Sequence, residues 1–270
     1  MTCALSSFRI LSAEYSRLGL APDRDSPPAD NLAEVLEADY VVGQSRFTVD
    51  SLLEYGVDPS KIILQPLGVD TERFHPSSRQ DHCRPFRVLF VGQLDIRKGL
   101  HHLLEAWASL RLPHAELVLV GKPLNQCGRE LLDKYKGHYR WLGFVPHSEI
   151  PKLYQDSDIF VFPSLAEGSA NVMYEAIASG LPSVVTTNSG SLVRDGIEGY
   201  LIRAGDVEAM KDRIRRLYVD GGLRNQMAVA ARHQAERYTW QQFGRRLRLM
   251  YKHILSATSG SMDILDLSEQ

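Results

Sequence analysis

Cysteine is scarce in this chain: Cys3, Cys83 and Cys127 are the only three among 270 residues. They are widely scattered, odd in number and lack the short spacing of a metal-binding or redox pair, so no disulfide framework is expected and a reducing compartment, by default the cytoplasm, is implied. An excess of one charge sign is also missing. With 31 Lys and Arg against 33 Asp and Glu, the formal net charge is −2, so no global field gathers nucleic acid or an anionic surface and anion binding has to be local. No run approaches the roughly 18 apolar residues of a membrane span, and Met1 to Arg9 carries no apolar core of signal-peptide length. One basic stretch, Arg245, Arg246, Arg248 and Lys252 in a helical pattern over 240–254, leaves peripheral contact with the inner face of a membrane open. A solvated helix face is the preferred reading.

What is present is apolar residues in ordered runs, 44% of the chain. From Phe86 onward, β-type runs alternate with helical patterns: Arg87 to Val91, a helix over 99–110, Glu116 to Val120, a helix near 128–136, Tyr139 to Leu142, a short helix near 148–155, and Asp158 to Phe162. Ser183 to Thr186, Gly199 to Ile202 and helices near 206–219 and 222–237 follow. Such alternation predicts βαβ units, and strands that are apolar on both faces predict a buried parallel sheet. Before it, helices at 31–37 and 45–55 and strands at 39–43 and 61–64 form a smaller α/β segment. The expected layout is a partial N-terminal segment over 1–75, a polar linker at 76–85, a Rossmann-like doubly wound domain over 86–237, a helix over 238–256 and a tail from 257.

Glu167 and Glu175 stand eight residues apart between a strand and the helix it enters. Gly168, Ser169 and Ala170 are small enough to let backbone approach a ligand, and Asn171 and Val172 open a helix whose first N–H groups lack intrahelical partners and favour an anion. Two carboxylates flanking such a site can accept hydrogen bonds from sugar hydroxyls. An isolated Glu pair is more often a solvated helix face; the strand, loop, helix, strand context argues against that here, because ligands bind at the carboxyl edge of such units. A second turn, Gly92-Gln93-Leu94-Asp95-Ile96-Arg97-Lys98-Gly99, leaves another strand at the same edge. Lys98 can meet a phosphate as a point charge and Arg97 as a fork. A third, Leu142-Gly143-Phe144-Val145-Pro146-His147, has backbone groups free to read a nucleobase.

Together these loops describe a site for a nucleoside diphosphate sugar. The chain resembles the C-terminal half of the GT-B-fold retaining glycosyltransferases of family four, through Val91-Gly-Gln-Leu with Arg97-Lys-Gly99, Leu142-Gly-Phe-Val145, the Glu-x7-Glu motif and Arg194-Asp-Gly-Ile-Glu-Gly-Tyr-Leu201. Upstream, Ala38-Asp-Tyr-Val-Val42, Ser45-Arg-Phe47 and Pro66-Leu-Gly-Val-Asp70-Thr-Glu-Arg-Phe74 are similar to the stretch joining that family's two domains. The resemblance implies that Lys98 and Glu167 act on the diphosphate and the donor sugar, and that Glu175 takes the ribose. It implies that Gly92, Gln93, Arg97 and residues Gly168, Ser169, Ala170, Asn171 and Val172 line the donor, and that Phe144 and Val145 frame its base.

No metal cofactor is implied, since helix N-terminus, Lys and Arg can neutralise the leaving group. Gln93 departs from the family's usual Arg, with Arg97 placed to compensate. His101, His102 and His147 match no catalytic position and read as structural or surface residues. The family's Gly-rich first βαβ units are not found before Asn31, so the acceptor half is expected to come from outside this chain. The acceptor, a glycan, lipid or small molecule, is not legible. The alternatives are a non-catalytic nucleotide-sugar binding or regulatory module, and a sugar-nucleotide epimerase of the same architecture.

Overall fold

The structure is a computed structural model that describes residues 5–21, 27–77, 84–256 and 265–266. Its first elements are α1 (Ser7–Arg17), α2 (Ala29–Glu37), β1 (Val41–Gly43), α3 (Arg46–Glu54) and β2 (Ile62–Leu64). α3 starts where Ser45 accepts a hydrogen bond from the Thr48 amide, the N-cap chemistry that serine supplies. Valines and isoleucines make the short strands. On one side, Val49, Leu52, Ile62 and Leu64 pack with Leu5 and Val57.

The larger unit runs β3 (Phe86–Val91), α4 (Leu100–Leu110), β4 (Ala115–Val120), α5 (Gln126–Lys134), β5 (Arg140–Trp141), α6 (Ile150–Gln155), β6 (Ile159–Phe162), α7 (Asn171–Ala178), β7 (Ser183–Thr186), β8 (Gly199–Ile202), α8 (Val207–Val219) and α9 (Gly221–Glu236). The strands form one sheet in the order β5-β4-β3-β6-β7-β8, every pairing parallel. Chain order reverses between β3 and β6, and the crevice outside the carboxyl ends of strands flanking such a reversal is where open α/β sheets bind ligands. The central strands carry Leu89, Phe90, Phe160, Phe162, Val184 and Val185, all fully buried, each contributing about 1.5–3 kcal/mol by leaving water. β5 is exposed and only two residues long, a form that blunts a sheet edge.

α10 (Trp240–Ser256) leaves this unit and returns to the smaller sheet, where Met250, with Leu247 and Ile254, covers Ile63 of β2. β9 (Leu265–Asp266) pairs in parallel with β2, completing a sheet of order β1-β2-β9.

The long elements fall within a few residues of the sequence expectation. Two elements lie outside it. α1 buries only Ser7 fully, although Phe8, Leu11 and Tyr15 keep helical spacing and are half-buried, and β9 is two residues in the tail. The central part of the expected linker, 78–83, lies outside the described residues. The reading of Arg246 as part of a solvated basic face is corrected: its side chain is 1% exposed, its guanidinium lies 5.2 Å from the centre of the Tyr238 ring, and burial lowers its affinity for the proton. A long aliphatic stem and a ring beneath the planar head let arginine occupy such a place. Among the described residues no helix is long and apolar enough to cross a membrane.

Candidate functional site

The turn after β3 and the loop after β6 meet at the reversal point. Gly99, at φ 70°, begins α4, and a Cβ there would lie 2.0 Å from the Pro163 carbonyl oxygen. The two loops therefore touch only because this position has no side chain. Leu165 donates its amide to the Arg97 carbonyl at 2.8 Å, and Ser164 Oγ donates to the same oxygen at 3.0 Å. Arg97 and Lys98 are thereby carried to Glu167.

Glu167 Oε1 accepts from both cations, from Lys98 Nζ and from an Arg97 guanidinium nitrogen, with Ser164 Oγ nearby at 3.3 Å. Lys98 is nearly buried, 12% exposed at its side chain, and its ammonium sits 5.3 Å from the centre of the Phe162 ring. Burial lowers its proton affinity below the ordinary lysine value despite the neighbouring carboxylate. Asp95 Oδ1 accepts from the Lys98 amide at 2.8 Å, fixing the turn, while burial pushes its own carboxyl up. Gln93 Oε1 lies 3.4 Å from the other Arg97 nitrogen, so the amide oxygen is turned to Arg97. Gly92, at φ 157°, closes against Gly121, where a Cβ would sit 1.8 Å from the Gly92 carbonyl oxygen.

The loop from Glu167 to Ala170 is tied from behind. The Gly168 carbonyl accepts from Ser45 Oγ at 2.5 Å and Thr48 Oγ1 at 3.0 Å, so the cap of α3 also pins the site. Ser169 Oγ is 3.1 Å from Tyr174 OH, whose phenol, pushed up to about 12 by burial, also accepts from the Leu67 amide at 3.2 Å. Ala170 precedes α7, and Asn171 and Val172 supply its first turn.

Glu175 forms a separate cluster. His147 Nε2 lies 3.0 Å from its Oε1 and Tyr154 OH 3.0 Å from its Oε2; burial, with the Glu175 charge, keeps the Tyr154 phenol protonated far up the scale. The Asp70 carboxylate caps the amides of Glu72 and Arg73 at 3.1 and 3.0 Å. Arg73 then donates to the His147 carbonyl at 2.5 Å, and Phe74 packs its ring 5.7 Å from His147 and 5.9 Å from Tyr154. At the outer end Phe144 is 66% exposed with Lys122 Nζ 5.0 Å from its ring centre, and Val145 is half-buried.

The residues singled out in the sequence thus fall into a Gln93, Arg97, Lys98, Glu167 cluster, a Glu175 cluster and an exposed Phe144 at the same sheet edge. His147, read as structural or surface, is 61% exposed at its side chain and also contacts Glu175. Arg73, Ser45 and Thr48 lie in or beside the Pro66 to Phe74 and Ser45 to Phe47 motifs, the signal that points to them; Tyr154, in α6, has no such signal in the sequence.

The sequence profile of the family "Glycosyl transferases group 1" matches residues 72–234. The chain belongs to this family. It is 29% identical over 255 residues to spore coat protein SA of Bacillus subtilis, covering 83% of this chain and 66% of that protein. It is 31% identical over 261 residues to a D-inositol 3-phosphate glycosyltransferase of Corynebacterium jeikeium, covering 86% of this chain and 62% of that one. The chain therefore spans less than two thirds of the length of these relatives. Among solved structures, the Anabaena protein Alr3699/HepE in complex with UDP and glucose superposes with a TM-score of 0.72 at 21% identity, over 83% of this chain and 67% of that one. That likeness shows a GT-B fold.

Proposed function

We propose that this chain forms the donor side of a retaining, hexosyltransferase-type glycosyltransferase, binding a nucleoside diphosphate sugar at the β3/β6 reversal. The observation that carries the reading is the convergence of Lys98 and Arg97 on a single Glu167 oxygen beside the start of α7. Two cations sharing one carboxylate oxygen can turn to a diphosphate without leaving a buried charge unpaired. Lys98 then holds the leaving diphosphate, aided by the first-turn amides of α7. Glu167, released from one cation, accepts from the donor sugar's hydroxyls. Glu175, oriented by His147 and Tyr154, accepts from the ribose, and Phe144 and Val145 flank the base. The bond from the sugar to the diphosphate breaks, and the acceptor hydroxyl bonds to the same carbon from the same face while its proton passes to the departing phosphate oxygen, giving retention. No metal is invoked at this site, and the acceptor is oriented by a second wall supplied outside these residues, by a further segment or a separate chain. UDP bound to HepE and the naming of relatives as glycosyltransferases support the reading.

Titration calorimetry with UDP, GDP and ADP tests it. Lys98→Ala is expected to weaken diphosphate binding by about 1.5–3 kcal/mol, the scale of a hydrogen bond to a charged group, or roughly ten- to a hundredfold, while leaving the free nucleoside nearly unchanged. An equal loss for nucleoside and diphosphate would assign Lys98 a structural role and overturn the proposal.

A further inference from the structure

On the opposite side of the Lys98 turn, the first turn of α4 presents a second cluster that the donor site does not use. Successive helical residues point about 100° apart, yet the rings of His101 and His102 lie with centroids only 3.9 Å apart. Their Nε2 atoms both reach Glu14 Oε1 of α1, at 2.7 and 3.2 Å. The side chains are 7%, 4% and 13% exposed. The pairing is incomplete. Only the His101 contact has hydrogen-bond geometry; His101 Nδ1 and both ring nitrogens of His102 are buried without a hydrogen-bond partner. Three ring nitrogens are thus left without the hydrogen bond that a buried polar atom ordinarily makes.

We propose that Glu14, His101 and His102 form a binding site for a zinc-type divalent ion that clamps α1 onto α4. The three candidate ligand atoms lie within 4.8 Å of one another, and a tetrahedral ion at about 2.0–2.2 Å from imidazole nitrogen and carboxylate oxygen fits such a triangle after small shifts. Two imidazoles and one carboxylate are a donor set that suits zinc with water in the fourth position. Arg17 grips both carboxylate oxygens, with Nε 3.1 Å from Glu14 Oε2 and a guanidinium nitrogen 2.6 Å from the Oε1 that faces the histidines, the kind of partner that orients a ligand carboxylate. His102 Nε2 is roofed by Gly205, whose added Cβ would lie 3.7 Å away, so the β8 to α8 turn leaves room there and brings no competing acid. The ion's role is structural, tying the N-terminal helix to the donor-binding unit, and it is independent of the donor-site reading.

The test strips the full chain with chelator and titrates Zn²⁺ against a competing indicator, with Co²⁺ absorption as a second readout of coordination. Expected are one ion per chain, an intense tetrahedral Co²⁺ spectrum, and slowed amide exchange over residues 7–17 on loading. Glu14→Gln and His102→Gln should each weaken binding by more than the roughly 10–100-fold that loss of an outer-shell partner costs, and Arg17→Ala by an amount within that range. Glu14→Gln lies on α1, outside the large sheet, and keeps the assay interpretable if the buried His102 variant fails to fold. Absence of stoichiometric uptake, or uptake unchanged in Glu14→Gln, overturns the site.

Discussion

Lys98 is held between two opposing demands: Glu167 and the Phe162 ring favour its ammonium, and burial disfavours it. Burial wins, so its proton is lost below the ordinary lysine value of 10.5. The sign of the pH effect follows. A diphosphate needs the ammonium, so affinity is highest below the depressed pKa and falls as pH rises through it, earlier than an ordinary lysine would allow. Calorimetry of UDP binding against pH, with Lys98→Arg as the reference that stays charged, is expected to show an alkaline loss in the wild type and a flatter profile in the variant. Gly99 carries a second prediction at this scale. Gly99→Ala places a Cβ 2.0 Å from the Pro163 oxygen at φ 70°, so the loops must part; a loss of several kcal/mol in thermal stability, or failure to fold, is expected. The Glu-x7-Glu spacing and Arg97-Lys98-Gly99 were legible in the sequence because they sit at strand ends with small residues around them. His147 and Tyr154 were not, because their meeting with Glu175 spans 28 and 21 residues of chain and depends on how three elements pack.

At the scale of elements, the loop between β6 and α7 owes its shape to residues far from it in sequence. Its Gly168 carbonyl takes hydrogen bonds from Ser45 and Thr48 at the start of α3, and the Glu167 amide donates to the Asn188 carbonyl at 2.9 Å. Removing both hydroxyls, Ser45→Ala with Thr48→Ala, strips that carbonyl of two donors at about 0.5–1.5 kcal/mol each. Faster amide exchange over 166–172 and faster nucleotide dissociation are the expected results; an unchanged loop would mean the backbone alone holds it. Strands and helices of the large sheet were legible because buried parallel strands are apolar throughout and their helices keep a clear stripe. α1 was not: its apolar positions Phe8, Leu11 and Tyr15 keep helical spacing but are only half-buried, and its contact with α4 is the polar one of Glu14 against a histidine pair. Arg246 shows the converse, a charge in a basic run that the fold buries beneath Tyr238.

For the whole molecule, two parallel sheets are bridged by α10, which packs Met250 on Ile63, and by the Pro66 to Phe74 stretch, whose Val69 amide donates to the Tyr238 carbonyl at 2.8 Å. The same stretch positions the groups around Glu175, so what joins the units also shapes the site. On the donor-side reading, the isolated 270-residue chain binds nucleoside diphosphate but transfers sugar only when an acceptor wall is added, because correct orientation of two reactants supplies about 7–11 kcal/mol of a barrier. Sugar transfer at ordinary enzyme rates by the monomeric chain alone would place an acceptor site within these residues. The most direct test of the central claim is a crystal structure of the chain with a bound nucleoside diphosphate. The diphosphate is expected between Lys98 and the start of α7, the ribose on Glu175 and the base beside Phe144. A nucleotide bound elsewhere, with Lys98 and Arg97 still closed on Glu167, would contradict it.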